Sequence, residues 1–109
     1  LVPQRPGLSD FHDLSGADMN ATVAEIGAAS RALQALYAAD KINVAALGNM
    51  VPQLHIHVIA RHVADPAWPK PVWGVVPAVP YDATALAARI GELRAALAAA
   101  GFGGGSALA

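Results

Sequence analysis

The chain has 109 residues, which is enough for one domain and too few for a second independent core. Hydrophobic residues make up 55% and charged residues 14%, a globular composition in which alanine supplies much of the apolar share. A net charge of −1 offers no broad basic field to nucleic acid or an anionic membrane, so any phosphate must be held by local groups. The absence of cysteine excludes thiol nucleophiles, disulfides and cysteine-ligated zinc. No run of about 18 apolar residues reads as a membrane span.

In chain order, Leu1-Val2-Pro3 resembles the end of a strand, and the native start is expected upstream of Leu1. Arg5-Pro6-Gly7 is turn chemistry. Ser15 followed by Asp18 reads as a capping box with Asp in place of Glu. Met19, Val23, Ile26, Leu33 and Leu36 then recur at helical spacing and predict one long amphipathic helix from Ala17 to Ala39. Ile42 to Leu47 reads as a strand, Gly48 to Pro52 as a connection, and Leu54 to Ala60 as a second strand. So short a connection favours an antiparallel pair.

Residues 65–80 carry five prolines and two tryptophans and read as extended and irregular. Asp82 caps a second helix on which Leu86, Ile90, Leu93 and Leu97 share a face. A domain of residues 1–100 is followed by a flexible glycine-rich tail over 101–109.

The chemistry concentrates on the second strand. Side chains alternate between faces, so residues two apart project together, about 6.5 Å from each other. Leu54, Ile56, Val58 and Ala60 form one apolar face that must be buried. Gln53, His55, His57 and Arg61 share the opposite, water-facing side with Ile59. Two imidazoles and a guanidinium on a strand anchored from behind form a rigid platform for a reaction. The same pattern also suits ordinary polar residues on the wet side of a half-exposed sheet. A third reading is a metal site made by His55 and His57 with His12 or His62.

The stretch from Asn43 through Gly48-Asn49-Met50-Val51-Pro52 to Gln53-Leu54-His55-Ile56-His57-Val58-Ile59-Ala60-Arg61 resembles the signature of the histidine-triad (HIT) family. There an Asn on one strand precedes a Gly-containing loop, and the next strand carries His-φ-His-φ-His-φ-φ, with φ apolar. The resemblance extends over residues 1–75 and implies an α+β fold, an antiparallel sheet with one long packed helix and a C-terminal helix, its N-terminal strands missing from this chain. Two positions depart from the pattern: Gln53 stands at the first histidine, and Ala60 stands where a proline often precedes the final Arg.

Carried over by position, the resemblance makes His55 the nucleophile that attacks the α-phosphorus of a nucleotide and forms a nucleotidyl-histidine. Imidazole suits that work because it is largely neutral and nucleophilic near pH 7. His57 would hydrogen-bond phosphate oxygens. Asn43, Asn49, the backbone near Gly48, and Arg61 would contribute to a phosphate cradle. Gln53 would act chiefly through its backbone carbonyl, orienting the nucleophilic ring. Substrates implied are dinucleoside polyphosphates or nucleoside phosphoramidates. No cofactor is implied, and a cytoplasmic homodimer is. A nucleotide-binding protein with little turnover is the alternative function.

Trp68 and Trp73 are expected to cover one end of the core beneath the long loop, the other reading being a wall near the nucleotide site or a subunit contact. His12 and His62 are expected at the surface.

Overall fold

The structure, a computed structural model, describes residues 1–102. The expected glycine-rich tail lies almost wholly outside the described residues. In chain order the elements are a single 3-10 turn, Phe11–Asp13; helix α1, Gly16–Tyr37; strands β1, Lys41–Ala45, and β2, His57–Arg61; and helix α2, Ala83–Ala99.

Helix α1 starts where capping chemistry places it. Ser15 Oγ accepts the Asp18 N–H at 3.1 Å. The Asp18 carboxylate turns away from the cap and takes a two-pronged bond from Arg5, at 3.0 and 3.1 Å, which pins the amino-terminal turn to the helix. The helix ends at Tyr37, two residues short of the expected Ala39, with Ala38 as a left-handed cap. Asp82 caps α2 as expected by accepting the Ala85 N–H at 2.7 Å.

The two strands pair antiparallel, with Lys41 opposite Arg61 and Ala45 opposite His57. The second strand starts three residues later than expected and ends one residue later, at Arg61. Leu54 to Ile56 are extended but paired elsewhere. Leu54 N–H donates to the Leu8 carbonyl at 3.0 Å, and Ile56 and Leu1 exchange both backbone bonds at 2.8 and 2.7 Å, the pattern of an antiparallel pair. The extended segment therefore changes partner midway, from the amino-terminal stretch to β1. Leu54 and Ile56 are buried as expected, whereas Val58 and Ala60 are half-buried.

The core departs from the expected helix stripe. On α1 the buried side chains are Thr22, Ala28, Ala29 and Ala32, whereas Val23 and Leu36 are exposed. Small residues let α1 approach its neighbours closely, and Leu97 of α2 fills the space left against the three alanines. Phe102, placed in the tail by sequence, packs on this cluster too. The expected α2 face is buried only at its carboxyl end. Toward the amino end the helix stands off from α1 and β2, leaving an open cleft of about 520 Å³ lined by Leu33, Val58, Leu86, Ile90 and Leu93. Across it Tyr37 donates to Glu92 at 2.8 Å, and Arg89 lies 4.8 Å over the Tyr37 ring.

This division predicts unequal costs along one helix face. Leu97→Ala is expected to lower the unfolding free energy by about 2–4 kcal/mol. Leu86→Ala, at a position 46% exposed, should cost under about 1 kcal/mol. Urea unfolding followed by circular dichroism checks both.

Candidate active site

The buried Leu54 and Ile56 flank His55 in the extended segment before β2, so its ring projects to the opposite side. Its Nδ1 lies 2.7 Å from the Gln53 carbonyl oxygen. A carbonyl can only accept, so Nδ1 carries the hydrogen and Nε2 of the neutral ring keeps the lone pair. The group of Gln53 that touches His55 is backbone. Its side chain belongs to an exposed residue.

His55 lines a cleft of about 200 Å³, together with Phe11, His12, Leu47, Gly48 and Leu54. One wall is the 3-10 turn, which no helix periodicity foretold. It is held by Asp13, whose Oδ2 accepts the N–H groups of Asp10 at 2.9 Å and Ser9 at 3.1 Å. Those two bonds keep the Asp13 carboxyl below the usual carboxylate range. The other wall is the loop after β1, which turns at Gly48 with φ +74°. A Cβ there would meet only the Val51 carbonyl at 3.5 Å, so the left-handed backbone, not crowding, calls for glycine.

His12 is an exposed surface residue, as expected, but it stands at this cleft. His62 is half-buried, its Nε2 lying 3.0 Å from the Tyr37 carbonyl. Among the described residues no group of three or more His, Cys, Asp or Glu is placed to hold a metal ion. The metal reading therefore lacks its third ligand.

Arg61 is the main correction to the face expected of the strand. Its side chain is 2% exposed, not turned to water. Nε and Nη2 grip the Asp65 carboxylate at 2.7 and 3.1 Å, Nη2 also reaches the Lys70 carbonyl at 2.8 Å, and Nη1 donates to Asn43 Oδ1 at 2.8 Å. The ring of Trp68 lies 5.8 Å from the guanidinium. With its donors so committed, Arg61 is no ready phosphate ligand.

Its effect on Asn43 matters instead. Because guanidinium only donates, it fixes the amide with Oδ1 toward Arg61 and leaves Nδ2 as the end able to donate elsewhere. Asn43 lies opposite Ile59, on the same sheet face as His57. Asn49 is exposed and does not line the His55 cleft.

The two candidate histidines do come together. Their ring centroids are 5.1 Å apart at 75°. His57 in turn meets Trp73, again at 5.1 Å and edge-to-face at 74°. The tryptophans therefore divide. Trp68 packs over Arg61, in keeping with the covering role expected of it, whereas Trp73 stands at the histidines. Covering the core is the role the sequence favours for both rings, with a wall near the site as the other reading, and Trp73 stands where that other reading puts it. The available signal was the density of Pro and Trp just after the strand, which marks a stiff loop able to fold back.

A family model, HIT domain, matches residues 1–64. The chain is similar to three solved structures described as histidine triad proteins. That from Bradyrhizobium japonicum is 47% identical, with a TM-score of 0.83, 87% of this chain covered and 71% of that one. That from Sinorhizobium meliloti 1021 is 38% identical, with a TM-score of 0.85 and coverage of 89% and 72%. That from Marinobacter aquaeolei VT8 is 43% identical, with a TM-score of 0.85 and coverage of 91% and 72%. No curated protein matches. The α+β architecture, the histidine strand and these likenesses agree: the chain belongs to the HIT family. Membership brings with it the general association of that family with nucleotide binding and hydrolase or transferase chemistry.

The Arg61–Asp65 pair generates a pH prediction. The Arg61 guanidinium holds the Asp65 carboxyl at about 2, below its ordinary 3.8. A folded value below the unfolded one adds stability that is complete above 3.8 and disappears as pH falls through about 2. Asp65→Asn should therefore unfold at a lower temperature than the wild type at neutral pH, and the gap should close across that acid range. Thermal melts of both proteins across the range check it. A gap that stays constant down to the acid limit would show that charge pairing is not what was lost.

Proposed function

We propose that the protein is a nucleotide hydrolase or transferase in which His55 attacks the α-phosphorus of a dinucleoside polyphosphate or nucleoside phosphoramidate. The observation that carries this reading is the 2.7 Å contact between His55 Nδ1 and the Gln53 carbonyl, in a residue lining an open cleft. That bond commits the ring to the tautomer whose Nε2 is nucleophilic.

In the first step the Nε2 lone pair forms a bond to phosphorus. The bond from phosphorus to the leaving oxygen or nitrogen breaks, and the leaving group departs with that electron pair and takes up a proton. In the second step water attacks the nucleotidyl-histidine, forming a P–O bond as P–N breaks. The water's proton is released and the imidazole is regenerated. His57 donates to phosphate oxygens beside the reacting centre. Asn43 Nδ2 and backbone N–H groups near Gly48 supply further donors where negative charge develops. Arg61 serves as a positioning residue through Asn43.

Gln53 occupies the first position of the triad. An uncharged amide there is compatible with turnover, because the contribution to His55 comes from the carbonyl of residue 53. By family likeness we extend the proposal to a homodimer working in the cytoplasm.

The test is incubation with labelled diadenosine polyphosphate or an adenosine phosphoramidate, followed by analysis of label retained on protein. Label that is acid-labile and base-stable is expected on the wild type. His55→Ala should abolish it and slow hydrolysis by at least about a thousand-fold. Gln53→Ala should retain activity within about fivefold, because the backbone carbonyl remains. Undiminished hydrolysis by His55→Ala would refute the nucleophile. Tight nucleotide binding with no turnover would make the protein a binder instead.

A further inference from the structure

The cleft before His55 holds a second imidazole, and it comes from outside the strand. His12 belongs to the 3-10 turn that forms one wall, whereas His55 and the loop turning at Gly48 line the rest. The strand carries two histidines where the family pattern has three, and Gln53 is not among the residues lining this cleft.

Two features set His12 apart from a stray surface histidine. It shares an open cleft with the ring whose Nε2 keeps its lone pair. Its turn is also fixed: Asp13 Oδ2 accepts the Asp10 and Ser9 N–H groups, and Oδ1 of the same carboxylate lies 3.7 Å from His12 Nε2. The two N–H groups hold that carboxyl below its usual range, so a standing negative charge attracts one edge of the imidazole. The cleft measures about 200 Å³. Sites that enclose a whole small-molecule ligand run from roughly 300 Å³ upward, so this space takes a phosphate group and leaves the attached nucleoside outside it. An imidazole donates an N–H in its neutral and its charged form, and can hold a phosphate oxygen in either. Asp10 lines the cleft as well, and its negative charge directs a phosphate toward the histidines.

We infer that His12 is a substrate-binding residue, the third imidazole of this site, which donates to a non-bridging oxygen of the phosphate group that His55 faces. The inference rests on the nucleotidyl-transfer reading above. His12 holds the phosphate in the ground state as in the transition state and takes no part in the bonds that form and break. Its loss therefore weakens binding rather than turnover.

The experiment titrates AMP into protein carrying isotopically labelled histidine and follows the ring signals by NMR. The His12 and His55 signals should move together, with one dissociation constant, while that of His62, held at the Tyr37 carbonyl, stays in place. The His12 side chain is 83% exposed, so His12→Ala leaves folding intact. The variant should bind AMP about tenfold more weakly, as expected for loss of one hydrogen bond to a charged group. His12→Asn, which keeps an N–H donor, should recover part of that loss. On a diadenosine polyphosphate, His12→Ala should raise KM about tenfold and lower kcat less than about threefold. AMP that moves His55 but not His12, that moves neither ring, or that binds His12→Ala as tightly as the wild type overturns the inference.

The parent reading fails separately. Absence of turnover and of protein-bound label refutes the reaction, while the AMP titration still decides the role of His12. A KM unchanged by His12→Ala in a protein that turns over removes His12 and leaves the nucleophile standing.

Discussion

The Arg61 guanidinium holds together the parts on which the site depends. It sits at the end of β2, reaches across to Asn43 on β1, and grips Asp65 and the Lys70 carbonyl in the following loop. A buried charge is costly unless paired and hydrogen-bonded, and Arg61 meets both conditions. Because its donors form a planar fork, the partners are held in direction as well as distance. The loop of residues 65–74 therefore folds back over the histidine-bearing face, with Trp68 over the guanidinium and Trp73 at His57.

Packing elsewhere is economical. The principal cluster is three alanines of α1 with Leu97, and Val58, Ala96 and Phe102 packed around it. Small side chains bury little area each, so close approach of the helix axis matters more than bulk. The leucines of α2 follow the same logic. Where α2 meets the alanine surface its side chain is buried, and where it stands away the same helical face lines an open cleft.

The geometry around His55 divides labour between backbone and side chains. A carbonyl orients His55, a left-handed glycine turn shapes one wall, and a carboxylate bonded to two backbone N–H groups shapes the other. Side chains then add what backbone cannot, namely two neighbouring imidazoles and an amide whose direction Arg61 decides. The contact that residue 53 makes with His55 is through its backbone carbonyl, not its side chain.

Much of this was legible in order along the chain. Alternation placed His55 and His57 together on one side, opposite the buried Leu54 and Ile56. Ser15 and Asp82 marked the helix starts because caps are local chemistry, and the motif from Asn43 to Arg61 named the family. Local pattern could not say that Arg61, on the same nominal face as His57, would be buried, since its burial depends on a loop returning from Asp65 and Lys70. Nor could it separate Trp68 from Trp73, place the 3-10 turn against His55, or show that alanines rather than Val23 and Leu36 face the core. Periodicity and capping act within a few residues and are set by sequence alone. Which partner covers a face depends on contacts between distant segments, and only the folded chain decides that.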